Sequence, residues 1–181
     1  YGVINAAGKI IVPFDYDAIQ TEPYIATSFI VSFKTSDATT RQGIINRHGD
    51  WIFPLTTAPI EHAHYDSDHD QDYFKITSNQ GRTGLLDDKG YWAIMPKYKA
   101  IHPLNACTGQ LLYLQVSLND ETALIDQNND VIIPFAAHQH IEAFNNNVSP
   151  LLFLRSTLVA GSTATGMSED IQDEIVSAQI I

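Results

Sequence analysis

Short apolar runs and small polar turn residues follow one another along most of the chain, and the same order returns four times. Each copy opens with a small residue and two apolar positions, continues through Asn or Asp and a second β-prone run, and reaches a proline. The opening residues lie 41, 41 and 39 positions apart and are Gly2, Gly43, Gly84 and Ala123. A period held this closely predicts a repeat array in which each unit buries its apolar face against its neighbours.

The pattern within one copy predicts a β-hairpin followed by a third strand. In the second copy, Asn46 favours a turn because its side chain bonds nearby backbone, and Gly49 can adopt the positive φ of a tight turn. Pro54 is expected to end the second strand, since proline has no amide hydrogen for the ladder. A loop is predicted through the isoleucine after each proline, namely Ile19, Ile60, Ile101 and Ile141. The third strands are predicted at Phe29–Lys34, Tyr73–Thr77, Leu111–Ser117 and Leu151–Ser156.

The predicted fold is therefore all-β, with four repeats over residues 1–41, 42–82, 83–121 and 122–157. Three short antiparallel strands per copy amount to about twelve strands in all. Propeller blades usually have four strands, so three per copy favours an open array over a closed, propeller-like ring.

The composition changes after the fourth copy. Residues 158–167 are rich in Gly, Ser, Thr and Ala, which is typical of a flexible linker. Residues 168–181 predict an acidic amphipathic α-helix, because Ser168 can cap its first turn and Ile171 and Ile175 recur at helical spacing. A helix this short is marginal alone, so we expect it to dock on the last repeat.

The first copy carries the most complete version of the pattern, through Tyr1, Gly2, Asn5, Gly8, Pro13, Tyr16, Asp17 and Ile19. This arrangement resembles the bacterial WG repeat, also called the KWG repeat, and the resemblance extends over residues 1 to 157. The tryptophan that names the motif is replaced in the four copies by Tyr1, Gln42, Thr83 and Thr122. The resemblance implies a β-repeat recognition surface, in some proteins at the cell envelope, without catalytic residues of its own.

The charge balance narrows the classes of partner. Ten Lys and Arg stand against 21 Asp and Glu, which gives a formal net charge of −11. Such an excess of carboxylates disfavours nucleic acid and anionic membrane surfaces and attracts a basic protein. No apolar run has the length of a membrane span, so membrane insertion is not expected.

The cellular compartment stays open between the bacterial envelope or periplasm and the cytoplasm. The single cysteine, Cys107, excludes an intramolecular disulfide but does not identify a compartment. The chain begins at Tyr1 within a strand-like segment, so we expect an excised piece from which a leader or other domains have been separated. The oligomeric state is likewise not determined by the pattern.

The segment 61–72 concentrates candidate chemistry, with five carboxylates and three histidines in twelve residues. His62, His64 and His69 are candidate zinc or nickel ligands. A calcium loop starting at Asp66 is not supported, because Gln71 stands where the sharp turn needs Gly. The favoured interpretation is a solvated acidic loop without metal, in which Asp66, Asp68 and Asp70 are candidate partner-binding carboxylates.

Aromatic residues supply the other binding candidates. Most recur at equivalent positions of the copies and are expected in the core. Tyr24, Tyr65 and Tyr91 do not recur and are the candidates for an exposed recognition face. No nucleophile–base arrangement or phosphate loop stands out, so we predict neither catalysis nor a cofactor.

The sequence thus favours a noncatalytic protein-binding module. Three alternatives remain open. The aromatic residues suit a module that binds cell-wall glycan, and the acidity suits an immunity-type neutralising partner of a basic toxin. A metal-dependent enzyme using the 61–72 loop is the third.

Overall fold

The computed structural model describes residues 1–20, 28–104, 113–143, 153–157 and 177–179. These residues form seventeen β-strands in five antiparallel sheets. Sheet 1 contains β1 (Val3–Ile4) and β2 (Ile10–Val12). Sheet 2 contains β3 (Ala18–Gln20), β4 (Ser28–Lys34), β5 (Thr40–Asn46) and β6 (Trp51–Thr56). Sheet 3 contains β7 (Ile60–Asp66), β8 (Gln71–Thr77), β9 (Thr83–Asp87) and β10 (Trp92–Tyr98). Sheet 4 contains β11 (Ala100–Pro103), β12 (Tyr113–Leu118), β13 (Glu121–Asp126) and β14 (Val131–Ala137). Sheet 5 contains β15 (Gln139–Ala143), β16 (Phe153–Thr157) and β17 (Ser177–Gln179).

Each of the three complete sheets combines strands from two sequence copies. Sheet 2 takes β3 and β4 from the end of the first copy and the β5–β6 hairpin from the second. The prediction of three strands per copy is therefore wrong, because each predicted loop contains a further strand. Ile19, Ile60, Ile101 and Ile141 lie in these added strands, which are β3, β7, β11 and β15.

The expected effect of proline is also wrong in three copies. Pro54, Pro96 and Pro134 lie inside β6, β10 and β14. These strands are the last in their sheets, and an edge strand tolerates a residue without an amide hydrogen. The count of three strands per copy was the reason to favour an open array over a closed ring, and that reason no longer holds. In the described residues the five sheets stay separate and close no barrel.

A β-bulge recurs in the hairpin that opens each of the four copies. In sheet 2, Ile44 pairs with Phe53 and Ile45 with Trp51, so Ile52 is an extra residue on β6. The other hairpins shift register at the equivalent residues Ile11, Ala93 and Ile132. A bulge bends its strand and strengthens the local twist.

The sheets stack through four hydrophobic clusters, each shared by two consecutive sheets. Between sheets 2 and 3, for example, Ile30 and Ile44 pack with Phe74 and Leu86, and all four side chains are at most 3% exposed. Equivalent clusters join sheets 1 and 2, sheets 3 and 4, and sheets 4 and 5. The expectation that copies bury their apolar faces against one another is confirmed.

The hairpin turns repeat one hydrogen-bond pattern. In the second copy the amide hydrogens of His48 and Asp50 donate to Asn46 Oδ1, both at 2.9 Å, and Gly49 has φ of 95°. The side chains of Asn5, Asp87 and Asp126 accept bonds in the same way. The turn prediction is confirmed, including Asn129 with φ of 68° in place of Gly.

At the C-terminus, the described residues form a strand where the sequence predicts a helix. Residues 177–179 form β17 and pair with β16, so the helix predicted over 168–181 is wrong at these residues. The strand edge of β16 offers backbone partners, whereas a short isolated helix is marginal in water. The rest of that range and the linker at 158–167 lie outside the described residues. No helix in the described part of the chain is long and apolar enough to cross a membrane.

Candidate functional site

The turn of the β5–β6 hairpin in sheet 2 and the turn of the β9–β10 hairpin in sheet 3 lie next to each other. Each turn has two middle positions between the Asn or Asp that accepts its hydrogen bonds and the Gly that follows. These positions hold Arg47 and His48 in sheet 2, and Asp88 and Lys89 in sheet 3. The same turn geometry therefore presents different side chains in different copies.

A cleft of about 320 Å³ opens between these two turns. Its lining residues are Ser28, Asn46, Arg47, His48, Asp70, Asp88 and Lys89. Asp70 comes from the short turn between β7 and β8, so three turns and the start of β4 enclose the space. Two cationic and two acidic side chains line it, in contrast to the strongly acidic chain as a whole.

Arg47 and Asp70, two of the charged residues of the cleft, are loosely paired. Arg47 Nη2 lies 3.8 Å from Asp70 Oδ2, and both side chains are 58% exposed. The Tyr65 hydroxyl donates a hydrogen bond of 2.8 Å to Asp70 Oδ1. That bond is the largest cause of a raised pKa at Tyr65, and burial and the nearby carboxylates act in the same direction. Asp70 thus holds a tyrosine and an arginine at the same rim.

The histidines of the 61–72 segment pair with buried carboxylates. His62 Nε2 lies 2.8 Å from Asp72 Oδ1, and His69 Nδ1 lies 2.9 Å from Asp66 Oδ2. The side chains of Asp66 and Asp72 are each 2% exposed. Asp66 Oδ1 also accepts the amide hydrogen of His69 at 3.1 Å, which fixes the turn. These contacts satisfy carboxylates that would otherwise be costly to bury.

The expected solvated loop at 61–72 is accordingly wrong. Strand β7 extends to Asp66 and β8 begins at Gln71, so only residues 67–70 form the turn. His64 is also buried, at 7% exposure. In the residues that the structure describes, no group of three His, Cys, Asp or Glu side chains could hold a metal ion.

The predicted binding residues are not brought together as one face. Tyr65 is half-buried and bonded to Asp70, whereas Tyr91 is 72% exposed and follows the turn that carries Lys89. Of the three candidate carboxylates only Asp70 lines the cleft; Asp68 is exposed elsewhere on the turn and Asp66 is buried. Burial excludes Asp66 from direct contact with a partner. Tyr24 lies outside the described residues.

Arg47, His48 and Lys89 were missed by reasoning from the sequence. A usable signal was present, because they are the variable residues of an otherwise repeating turn. Finding them required knowledge that the turns of neighbouring sheets face one cleft. The period alone does not contain that information.

The family model of the WG containing repeat matches residues 1–23. Comparison with curated proteins and with solved structures finds no match for the chain. The matched residues include β1, β2 and β3, which are the hairpin of sheet 1 and the first strand of sheet 2. The resemblance to the WG repeat is thus confirmed over the first 23 residues.

Proposed function

We propose that this chain is a noncatalytic protein-binding module built on a WG-like β-repeat scaffold, with four copies in an open array. The cleft between the turns of sheets 2 and 3 carries the proposal. Stacked sheets hold its rim in place, while the two middle residues of each turn differ between copies. Recognition residues on loops positioned by a rigid scaffold are the usual arrangement of binding proteins.

The composition of the rim supports a protein as the partner. Arg47 and Asp70 are exposed and only loosely paired, so the groups of a partner can replace either one at little cost. Tyr91 adds an aromatic surface that is 72% exposed. Tyrosine and arginine are the residues enriched where protein interfaces gain most of their affinity. Because the rim has both signs of charge, we expect a partner with both signs at this contact, even though the chain as a whole attracts basic proteins.

The placement of the histidines supports a noncatalytic role. His62 and His69 are engaged by Asp72 and Asp66 within the β7–β8 hairpin. Of this hairpin, only Asp70 lines the cleft. These two histidines therefore stabilise the hairpin and its turn.

The test is selection of peptides from a random library on the immobilised chain, followed by affinity measurements on variants. Arg47→Glu and Lys89→Glu are expected to weaken the selected peptides at least tenfold. Lys99→Glu is the matched control, since Lys99 follows β10 at the opposite end of the sheet and is 64% exposed. Equal affinity for all three variants would refute the cleft as the binding site.

Two further measurements distinguish protein binding at the cleft from glycan binding and from nonspecific attraction of a basic partner. If no peptide is selected, and if the chain is retained on purified peptidoglycan while the Tyr91→Ala variant is not, the chain binds glycan and not protein. Binding that falls equally with every added positive charge, wherever it is placed, would indicate an acidic surface for a basic partner instead.

A further inference from the structure

The cleft between sheets 2 and 3 contains hydrogen-bond donors that the described residues do not use. Arg47, His48 and Lys89 line it, and all three are exposed. Within the described part of the chain the side chains of His48 and Lys89 make no hydrogen bond or ion pair, and Arg47 has a single ion pair, with Asp70. An arginine has five N–H donors in a planar fork that matches the two oxygens of a carboxylate. The cleft can therefore take an anionic group of a ligand at Arg47.

The existing ion pair of Arg47 is a weak version of the one that a ligand carboxylate would form. Asp70 Oδ2 lies 3.8 Å from Arg47 Nη2, whereas charge-assisted hydrogen bonds between such groups are about 2.7–2.9 Å long. The other oxygen of Asp70 accepts the hydroxyl of Tyr65 at 2.8 Å, so it is not available for a bidentate pair. Because the side chains of Arg47 and Asp70 are both 58% exposed, breaking their contact costs little.

The surroundings of Arg47 limit how much negative charge a ligand can carry. The three turns that enclose the cleft, 46–50, 67–70 and 87–91, contain five aspartates against two cations, Arg47 and Lys89. A phosphate or a run of carboxylates would be repelled by this excess at short range. A single carboxylate fits at Arg47 if positive groups of the same ligand lie on either side of it. Asp50 and Asp68 are exposed in two of these turns and can pair with those positive groups.

We propose that the cleft binds a protein segment in which one Asp or Glu is flanked on both sides by Lys or Arg. The central carboxylate replaces Asp70 at Arg47 and forms a bidentate pair there, while Asp70 keeps its hydrogen bond with Tyr65. The flanking basic side chains pair with Asp50 and Asp68. The cleft volume of about 320 Å³ is at the lower end of the range of about 300–1,000 Å³ for ligand pockets, which suits a short segment. This inference rests on the proposed protein-binding function and adds to it the chemistry of the partner.

Labelled peptides of defined order test the inference on the full chain by fluorescence anisotropy. The probe is the capped peptide Lys-Gly-Glu-Gly-Lys. Lys-Gly-Gln-Gly-Lys lacks the carboxylate, and Lys-Gly-Lys-Gly-Glu has the composition of the probe with the carboxylate at one end. Both should bind about tenfold more weakly than the probe or worse, because hydrogen bonds between charged groups are among the strongest in proteins. Arg47→Gln should weaken the probe to the same extent and leave the affinity for the Gln peptide unchanged.

Two substitutions that remove the same charge should have opposite effects on the probe. Asp70→Asn removes the carboxylate that competes for Arg47, so the affinity should rise by about two- to fivefold. Asp68→Asn removes a partner of a flanking lysine, so the affinity should fall by a similar factor. Asn tolerates the φ of 49° at position 70, and the circular dichroism spectrum and urea midpoint of each variant check that the fold is kept.

Three results would overturn the inference. Equal affinity for the probe and the Gln peptide would show that the carboxylate is not recognised, and equal affinity for the two orders of charge would show that only net charge matters. Weaker binding of the probe to Asp70→Asn would show that Asp70 contacts the partner and does not compete with it.

The proposed function can survive each of these results. If peptides selected from the random library depend on Arg47 and Lys89 but have no acidic residue between basic ones, the cleft binds protein and only the partner chemistry is wrong. If the library yields no peptide and the probe does not bind, both proposals are wrong.

Discussion

Gly84→Ala tests whether the small residue at the start of each copy is set by the close approach of two strands. A Cβ added at Gly84 would lie 2.7 Å from Ile94 O, 2.7 Å from Pro96 N and 2.8 Å from Trp92 Cζ3. Two of these three contacts are with backbone, which cannot move aside without disturbing the bulge of β10. The substitution should therefore force β9 and β10 apart.

The expected loss of stability is a balance of two effects. Overpacking of this kind costs about 1–3 kcal/mol. Replacing Gly by Ala recovers about 0.4–1 kcal/mol by restricting the unfolded chain. We therefore expect Gly84→Ala to lower the free energy of unfolding by about 1–2 kcal/mol.

Gly43→Ala is the matched comparison. At that position the backbone contacts are longer, at 3.0 Å to Phe53 O and 3.2 Å to Leu55 N, and the shortest is 2.6 Å to the ring of Trp51. The Trp51 side chain is 48% exposed and has room to shift. Gly43→Ala should hence cost less than Gly84→Ala, and adding Trp51→Val should restore most of the loss. The fourth copy already combines Ala123, which is fully buried, with Val131 at the tryptophan position.

Urea unfolding followed by tryptophan fluorescence and by circular dichroism measures the effect, with coincident transitions as the check on two-state behaviour. An unchanged slope against urea would assign the difference to the folded state. If Gly84→Ala is as stable as the unaltered chain, or if Gly43→Ala costs more, the close-approach explanation is wrong.

Three smaller predictions concern the turns. Asn129→Ala should destabilise by about 1–2 kcal/mol, because it strains a positive φ and removes the hydrogen bond that the Tyr98 hydroxyl donates to Asn129 Oδ1 at 2.8 Å. Asn129→Gly should cost less, since it loses only the hydrogen bond, and equal urea midpoints for the two variants would contradict this account. Asp126→Ala should lower stability by about 1 kcal/mol, since its carboxylate accepts two amide hydrogens of the turn, at 2.9 and 2.8 Å. Asp126→Asn keeps an acceptor oxygen and should retain most of that stability in the same urea assay. Asp70→Asn should lower the pKa of Tyr65, because the hydrogen bond to the Asp70 carboxylate is the main cause of its rise. Carbon-13 NMR of labelled tyrosine measures this titration, and an unchanged pKa would show that the bond does not form in solution.

The extra strand in each copy illustrates a limit of local patterns. Ile60 is 2% exposed within β7, yet the stretch around it was predicted as a loop because Pro54 precedes it. Proline does remove a backbone hydrogen bond of the sheet. However, β6 is an edge strand, so one of its two sides has no neighbouring strand in the described sheet. Whether a strand is at the edge depends on the arrangement of the whole sheet, which no window of sequence contains.

The acidic segment illustrates the same limit for the candidate site. Asp68 and Asp66 are two residues apart and have the same chemistry, yet one is exposed and the other 2% exposed. Their difference follows from where β7 ends, because Asp66 is the last residue of the strand and Asp68 lies in the turn that follows it. The cleft likewise depends on two turns that are distant in sequence, around Arg47 and Lys89.

The period, the hairpins and their turns follow from the local sequence alone. These features rest on interactions over a few residues, such as the bonds from the backbone to Asn46 Oδ1 and the positive φ at Gly49. That each complete sheet joins strands of two copies became clear only from the fold. The fold also placed the cleft between sheets 2 and 3. The physical reason is that strand pairing and sheet stacking are set by burial and register between distant segments, so their outcome is not encoded in any one repeat.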